Sequence, residues 1–159
     1  MQDRFKFRYV FTKDFGGKTG ICYKMPIFNL DTITDENFNK IVKSYIDYGY
    51  KLISIEQCTG LKDKNGKLIY EGDILDLYVS TKKIYRYQVK FEIGSFMLLS
   101  DDEIFDFKNV WNDNVYPLSQ LYFEYQNEEN CIDQCEVVGN IYENSELLEE
   151  DQNEFKTNY

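Results

Sequence analysis

The residues in this chain that could do chemistry are four cysteines, an excess of carboxylates and two clusters of polar turn-forming side chains, and no histidine accompanies them. Without imidazole there is no Ser-His-Asp or Cys-His nucleophile, no general acid–base group with an ordinary pKa near neutrality and no HExxH metal site. What remains is carboxylate, Lys, Tyr or Cys chemistry, or Mg²⁺ held by carboxylates. The cysteines are Cys22, Cys58, Cys131 and Cys135. Cys131 and Cys135 could supply two metal ligands, but no second pair and no histidine completes a zinc set, so the four read as structural or incidental thiols. Lys18-Thr19-Gly20 after Gly16-Gly17 lacks the spacing of a phosphate loop and is set aside.

The two polar clusters are Asp63-Lys64-Asn65-Gly66 and Tyr70-Glu71-Gly72-Asp73. The first resembles the start of a calcium loop, but the glutamate that must close such a loop at its twelfth position is replaced by Ile74. The second could set two carboxylates beside a cation. Asp more readily accepts hydrogen bonds from nearby backbone N–H groups in a tight turn. Asp63, Asn65, Gly66, Tyr70, Glu71, Gly72 and Asp73 are therefore read as structural turn residues, and Asn140 and Asn144 as turn and cap residues. No catalytic, cofactor-binding or metal-ligating set is assigned, and no cofactor is expected.

The charge is one-sided. Residues 1–100 carry 16 Lys+Arg against 12 Asp+Glu, and residues 101–159 carry 2 against 16, a net −14 in the last third. Such a field repels nucleic acid and attracts basic surfaces. The candidate interaction surface is accordingly Asp101, Asp102, Glu103, Asp106, Glu124, Glu128 and Glu129, set against the plainer reading of a solvated acidic face. Direct nucleic-acid binding, disfavoured overall, would use the basic-leaning face of residues 1–100, notably Arg4, Lys6, Arg8, Lys82, Lys83 and Arg86.

Phe5, Phe7, Tyr9 and Phe11 alternate with Lys6 and Arg8, the pattern of a strand with one apolar face. A turn at Gly16-Gly17 precedes a return strand over 21–28, interrupted at Pro26. Thr34 to Tyr48 reads as a helix capped by Thr34 and ended by Gly49, with Phe38, Ile41, Val42, Tyr45 and Ile46 on its buried face. Strands follow over 50–57, around the two polar turns between Ile55 and Leu77, over 83–92 and over 95–99. Residues 111–118 read as loop, 118–125 as either strand or helix, 136–142 as strand, and 146–151 as a short acidic helix. The fold class is mainly β (α+β). The expected organisation is an N-terminal β/α segment (1–54), a β domain (55–150) and a frayed tail (151–159). The charged N-terminus and the lack of any ~20-residue apolar run point to a soluble, cytoplasmic chain with no membrane span.

Three blocks, taken together, resemble the YopX family carried by bacteriophages and prophages: Lys6-Phe7-Arg8-Tyr9, the stretch TGLKDKNGKLIYEGDI from Thr59 to Ile74, and Glu136 to Leu148. The resemblance implies an SH3-like β-roll or barrel around the central block, a mobile-element origin and a bacterial host cell. It brings no established biochemical activity and no catalytic residues. The N-terminal helix and the acidic tail after Leu148 depart from the family pattern. The expected function is that of a small non-enzymatic accessory protein acting through contacts with a host or phage protein, with a homo-oligomer left open. The alternatives are an acidic mimic of nucleic acid that inhibits a host defence nuclease, and a nucleic-acid-binding protein using the basic N-terminal face.

Overall fold

The computed structural model describes residues 3–80, 83–100, 115–127 and 131–148. It is mainly β, and the chain divides into two compact units, Met1–Gly60 and Leu61–Tyr159.

In the first unit, strand β1 (Lys6–Asp14) is the centre of a small antiparallel sheet. Strands β2 (Ile21–Lys24) and β3 (Ile27–Asn29) share one of its edges, and the first part of β4 (Lys51–Asp63) takes the other. Alternation puts Tyr9 and Phe11 on one face, and both are buried with Phe28. Helix α2 (Glu36–Asp47) lays Phe38, Val42 and Tyr45 over them. The rings of Phe11 and Tyr45 stack at 4.6 Å, and Tyr9, Phe28 and Phe38 meet edge to face at 5.1–5.3 Å. Phe5 lies in a 3-10 turn ahead of the strand and is exposed, so the expected aromatic face starts at Phe7.

The helix begins later than its sequence suggests. Asp35, not Thr34, is the N-cap, accepting a hydrogen bond from the Asn37 N–H at 3.1 Å. Thr34 instead donates its hydroxyl to the Asp31 carbonyl at 2.8 Å, at the end of a short unforeseen helix α1 (Leu30–Ile33). At the other end Gly49 takes φ +84° and donates to Ile46 O at 2.8 Å, the left-handed stop that its position predicts. The buried face is narrower than expected. Ile41 and Ile46 are 39% and 53% exposed, because they flank the 38–42–45 stripe and the small sheet covers only its centre.

In the second unit, the end of β4 pairs with β5 (Leu68–Tyr70) and, in parallel, with β10 (Cys131–Ile132). A five-stranded sheet runs in the order β11 (Cys135–Asn140), β6 (Asp73–Ser80), β7 (Lys83–Glu92), β8 (Ser95–Leu99), β9 (Val115–Pro117). Strand β9 occupies part of the stretch expected to be loop. Residues 118–125 are helix α3 (Leu118–Tyr125): Leu118 and Leu121, three apart, are buried together, a helical period rather than a strand's. They join Ile69, Leu75, Val89, Leu98 and Ile132 in the main core. After β11, residues 146–148 are helical. The rest of the expected acidic helix, the acidic stretch 101–107 and the tail lie outside the described residues. No helix among the described residues is long and apolar enough to cross a membrane.

Candidate functional site

The central and closing sequence blocks meet in the second unit, and Asp63 joins them. Its side chain is 1% exposed, as deep as a core leucine. One carboxylate oxygen accepts from the backbone N–H of Asn65 and of Lys67, both at 2.9 Å, which closes the turn between β4 and β5. The other accepts from the N–H of Val137 at 3.0 Å, on β11. Gly66 sits in this turn at φ +78°, and its N–H donates to Asp63 O at 2.9 Å. A buried carboxylate that accepts from three backbone N–H donors has its hydrogen bonds made and shapes backbone.

Beside it, a second group closes on Glu136. Lys64 Nζ lies 2.6 Å from one carboxylate oxygen of Glu136, and the Tyr78 hydroxyl donates to the same oxygen at 3.0 Å. Asn65 Nδ2 donates to the other oxygen at 3.2 Å. The Lys64 ammonium also sits 4.0 Å from the centre of the Tyr78 ring. The hydrogen bond from Lys64 holds the Glu136 carboxyl below its ordinary pKa, and the same contact raises that of Lys64. Burial, then the bond to Glu136, raises the Tyr78 phenol. Each shift favours the form already present at neutral pH. None of the three is tuned toward proton transfer.

The second turn works the same way. Asp73 is 1% exposed and accepts from the Tyr70 N–H at 2.8 Å. Gly72, at φ +79°, donates to Val89 O at 2.8 Å and accepts at its own carbonyl from the Ile141 N–H at 2.9 Å. Glu71 accepts from the Phe91 N–H at 3.3 Å. On the next residues of the sheet, Asp76 and Arg86 face each other across β6 and β7 as a two-pronged ion pair of 2.7 and 3.0 Å, and Arg86 also donates to Leu147 O at 3.1 Å. Asn140 accepts from the N–H groups of Tyr142 and Glu143, and Asn144 accepts from the Asn140 N–H, so both serve the turn after β11. A Cβ on Gly139 would stand 2.6 Å from Asn144 Oδ1, which leaves room there only for glycine.

None of the four cysteines is in a disulfide. Burial, with Asp63 nearby, pushes the Cys135 thiol up to about 12, far from a nucleophile's range. Among the described residues no group of three or more Cys, Asp or Glu side chains is arranged to hold a metal ion.

Of the expected acidic surface, only Glu124 is described. It lies on α3, accepts from Gln120 Nε2 at 3.1 Å, and bonds the Tyr116 phenol, which burial first and Glu124 second push up to about 12. Asp101, Asp102, Glu103, Asp106, Glu128 and Glu129 lie outside the described residues. The basic face fares differently from its sequence pattern. Arg8 is 8% exposed and donates Nε to Glu56 at 2.6 Å, Glu56 itself being 2% exposed. Lys6 pairs with Asp3 at 2.6 Å, and Arg86 is committed to Asp76. Lys82 and the side chains of Arg4 and Lys83 are outside the description. Sequence reading missed Lys64, Tyr78 and Glu136, since their meeting depends on pairing across 71 residues between Asn65 and Glu136. The available signal was the two blocks themselves, the central one running into β6 and the closing one opening in β11, two strands that pair.

The protein EF1440 from Enterococcus faecalis, known from its crystal structure, is similar to this chain at 22% identity with a TM-score of 0.39, over 90% of this chain and 96% of that one. No curated protein matches the chain. The family model described as YopX protein matches residues 20–149, four-fifths of the length, and the chain belongs to the YopX family.

Proposed function

We propose that this is a non-enzymatic accessory protein of a phage or prophage that works by binding another protein. The observation that carries the reading is the use made of the block residues: Asp63, Asp73, Glu71, Asn65 and Glu136 are engaged with backbone N–H groups or with one another. Polar groups spent on backbone shape leave recognition to the surface around them, where apolar anchors supply most binding energy. The reading takes the consecutive β6–β7–β8 hairpins as the SH3-type roll that the family resemblance implies. It also places the chain in the host cytoplasm.

A second reading rests on the charge of residues 101–159, net −14. Carboxylates in that number suit a basic channel of a defence nuclease, in competition with phosphate. The deciding experiment is affinity capture from infected or lysogenic cells with mass spectrometry of what is bound, repeated across salt. A partner retained at high salt supports the first reading. A nuclease released steeply by salt supports the second. Turnover of a substrate by the purified chain would overturn both.

A further inference from the structure

Resting on that protein-binding reading, we propose that the tip of the β7–β8 hairpin enters the partner, and that the partner presents an apolar pocket with a basic rim. The hairpin closes through two residues, Ile93 and Gly94, between the paired Glu92 and Ser95. Ile93 has φ +55° and Gly94 φ +76°, so both central residues are left-handed, as a type I′ turn demands. Asn or Gly suits the first of these positions, and a β-branched side chain suits it worst, because its Cβ crowds the neighbouring carbonyl. Among the described residues Ile93 is the one non-glycine with positive φ.

The fold gains nothing visible from this isoleucine, which is 59% exposed. Phe91, two residues back, is 46% exposed, its ring meeting Phe96 edge to face at 5.2 Å across the hairpin. The base is anchored by the central block: Glu71 accepts from the Phe91 N–H, and the Gly72 N–H donates to Val89 O. A supported finger therefore carries two exposed apolar side chains, one held in a conformation the backbone disfavours. Strain retained at an exposed apolar position is accounted for when the side chain is buried on binding.

Charge selects the occupant. Residues 61–159 carry 9 Lys+Arg against 21 Asp+Glu, a net −12, and the whole chain carries −10. A second copy brings the same sign and is repelled, whereas a pocket rimmed by Lys or Arg is attracted.

The test uses the full chain and its Ile93→Asn variant as baits for a phage-displayed random-peptide library. Selected peptides are expected to be apolar with flanking Lys or Arg, to bind the variant at least about tenfold more weakly and to keep most of their affinity at high salt, since the apolar anchor supplies it and the charge mainly guides the encounter. The same variant is expected to melt about 2–4 °C higher, since Asn suits the turn. A lower melting temperature overturns the strain argument. Peptides that ignore the substitution overturn the finger while leaving the protein-binding reading intact. A concentration-dependent dimer, abolished in Ile93→Asn and seen by ultracentrifugation, gives the tip to a second copy and overturns the proposed partner. An empty selection overturns the finger, and together with an empty capture from host cells it removes the protein-binding reading as well.

Discussion

The first unit gathers Tyr9, Phe11 and Phe28 into its main buried cluster and leaves eleven large apolar side chains exposed among its described residues, including Ile21, Ile27, Leu52 and Ile55. The second gathers eleven buried residues, nearly all aliphatic, and leaves three exposed among those described: Phe91, Ile93 and Phe123. Size accounts for much of this, since a chain of about 60 residues buries only roughly 60% of its unfolded surface. Aromatic rings are the economical response, giving large contact area per side chain. The units also treat a buried charge differently. In the first, Arg8 and Glu56 neutralise each other across two strands. In the second, Asp63 is held by backbone N–H groups. A side-chain pair can be exchanged as a pair, but a carboxylate bound to backbone has no partner that can be changed with it.

The strongest test deletes one core at a time. Phe11→Ala is expected to cost about 3–5 kcal/mol and Leu98→Ala about 2–5 kcal/mol, from lost transfer energy and the cavity left behind. Hydrogen exchange should show amides of β1 to β3 losing protection in the first variant and those of β7 and β8 in the second. If either substitution loosens both regions equally, the units are a single cooperative body and the contrast between them fails.

The next test separates the two buried charges. Glu56→Gln leaves the Arg8 guanidinium without its counter-charge and is expected to cost about 3 kcal/mol, most of it recovered when Arg8→Met and Glu56→Leu are combined. Asp63→Ala should cost a similar amount, about 3 kcal/mol from donors left unsatisfied. Adding Lys64→Met should recover none of it. Urea denaturation of the full chain measures all of these. Recovery by any second side-chain change would show that Asp63 is not held mainly by backbone.

The smallest effect is on pH. Glu136 has its folded pKa lowered, so its contribution is present above the unfolded value and is lost as pH falls through the folded one. Lys64 has its folded pKa raised, so its contribution is full below the unfolded value and is lost as pH rises through the folded one. Because one contact produces both shifts, Glu136→Gln and Lys64→Met should each flatten both the acid and the alkaline side of a plot of melting temperature against pH. An unchanged acid side in both variants would show that the exposed cluster contributes nothing.

Much of this was legible in the chain. The strands around the two polar turns, the 83–92 and 95–99 hairpin and the helix before Gly49 follow from period, turn chemistry and a C-terminal glycine, all local causes. Misreadings came where the cause is not local. Thr34 is as good a cap as Asp35 in isolation, and the choice falls to Asp35 because Thr34 is used by the turn of helix before it. Arg8 reads as a solvent-facing base on a period of two until Glu56, 48 residues away, is placed opposite it. The roles of Asp63 and Asp73 as turn acceptors were readable from residue type, whereas Lys64, Tyr78 and Glu136 become a group only once β11 pairs with β6. Ile93 carries no sequence signal beyond its place before Gly94.

The bond from Val137 to Asp63 spans 74 residues, and that span sets an order of assembly. During synthesis the β4–β5 turn leaves the ribosome before β11, with Asn65 and Lys67 already able to fill one oxygen of Asp63. Its other oxygen waits for β11, and until then water must occupy it. The joint between the two blocks is thus a late event with a high loop-closure cost. A chain cut between the blocks would keep its turn and lose the latch that finishes it.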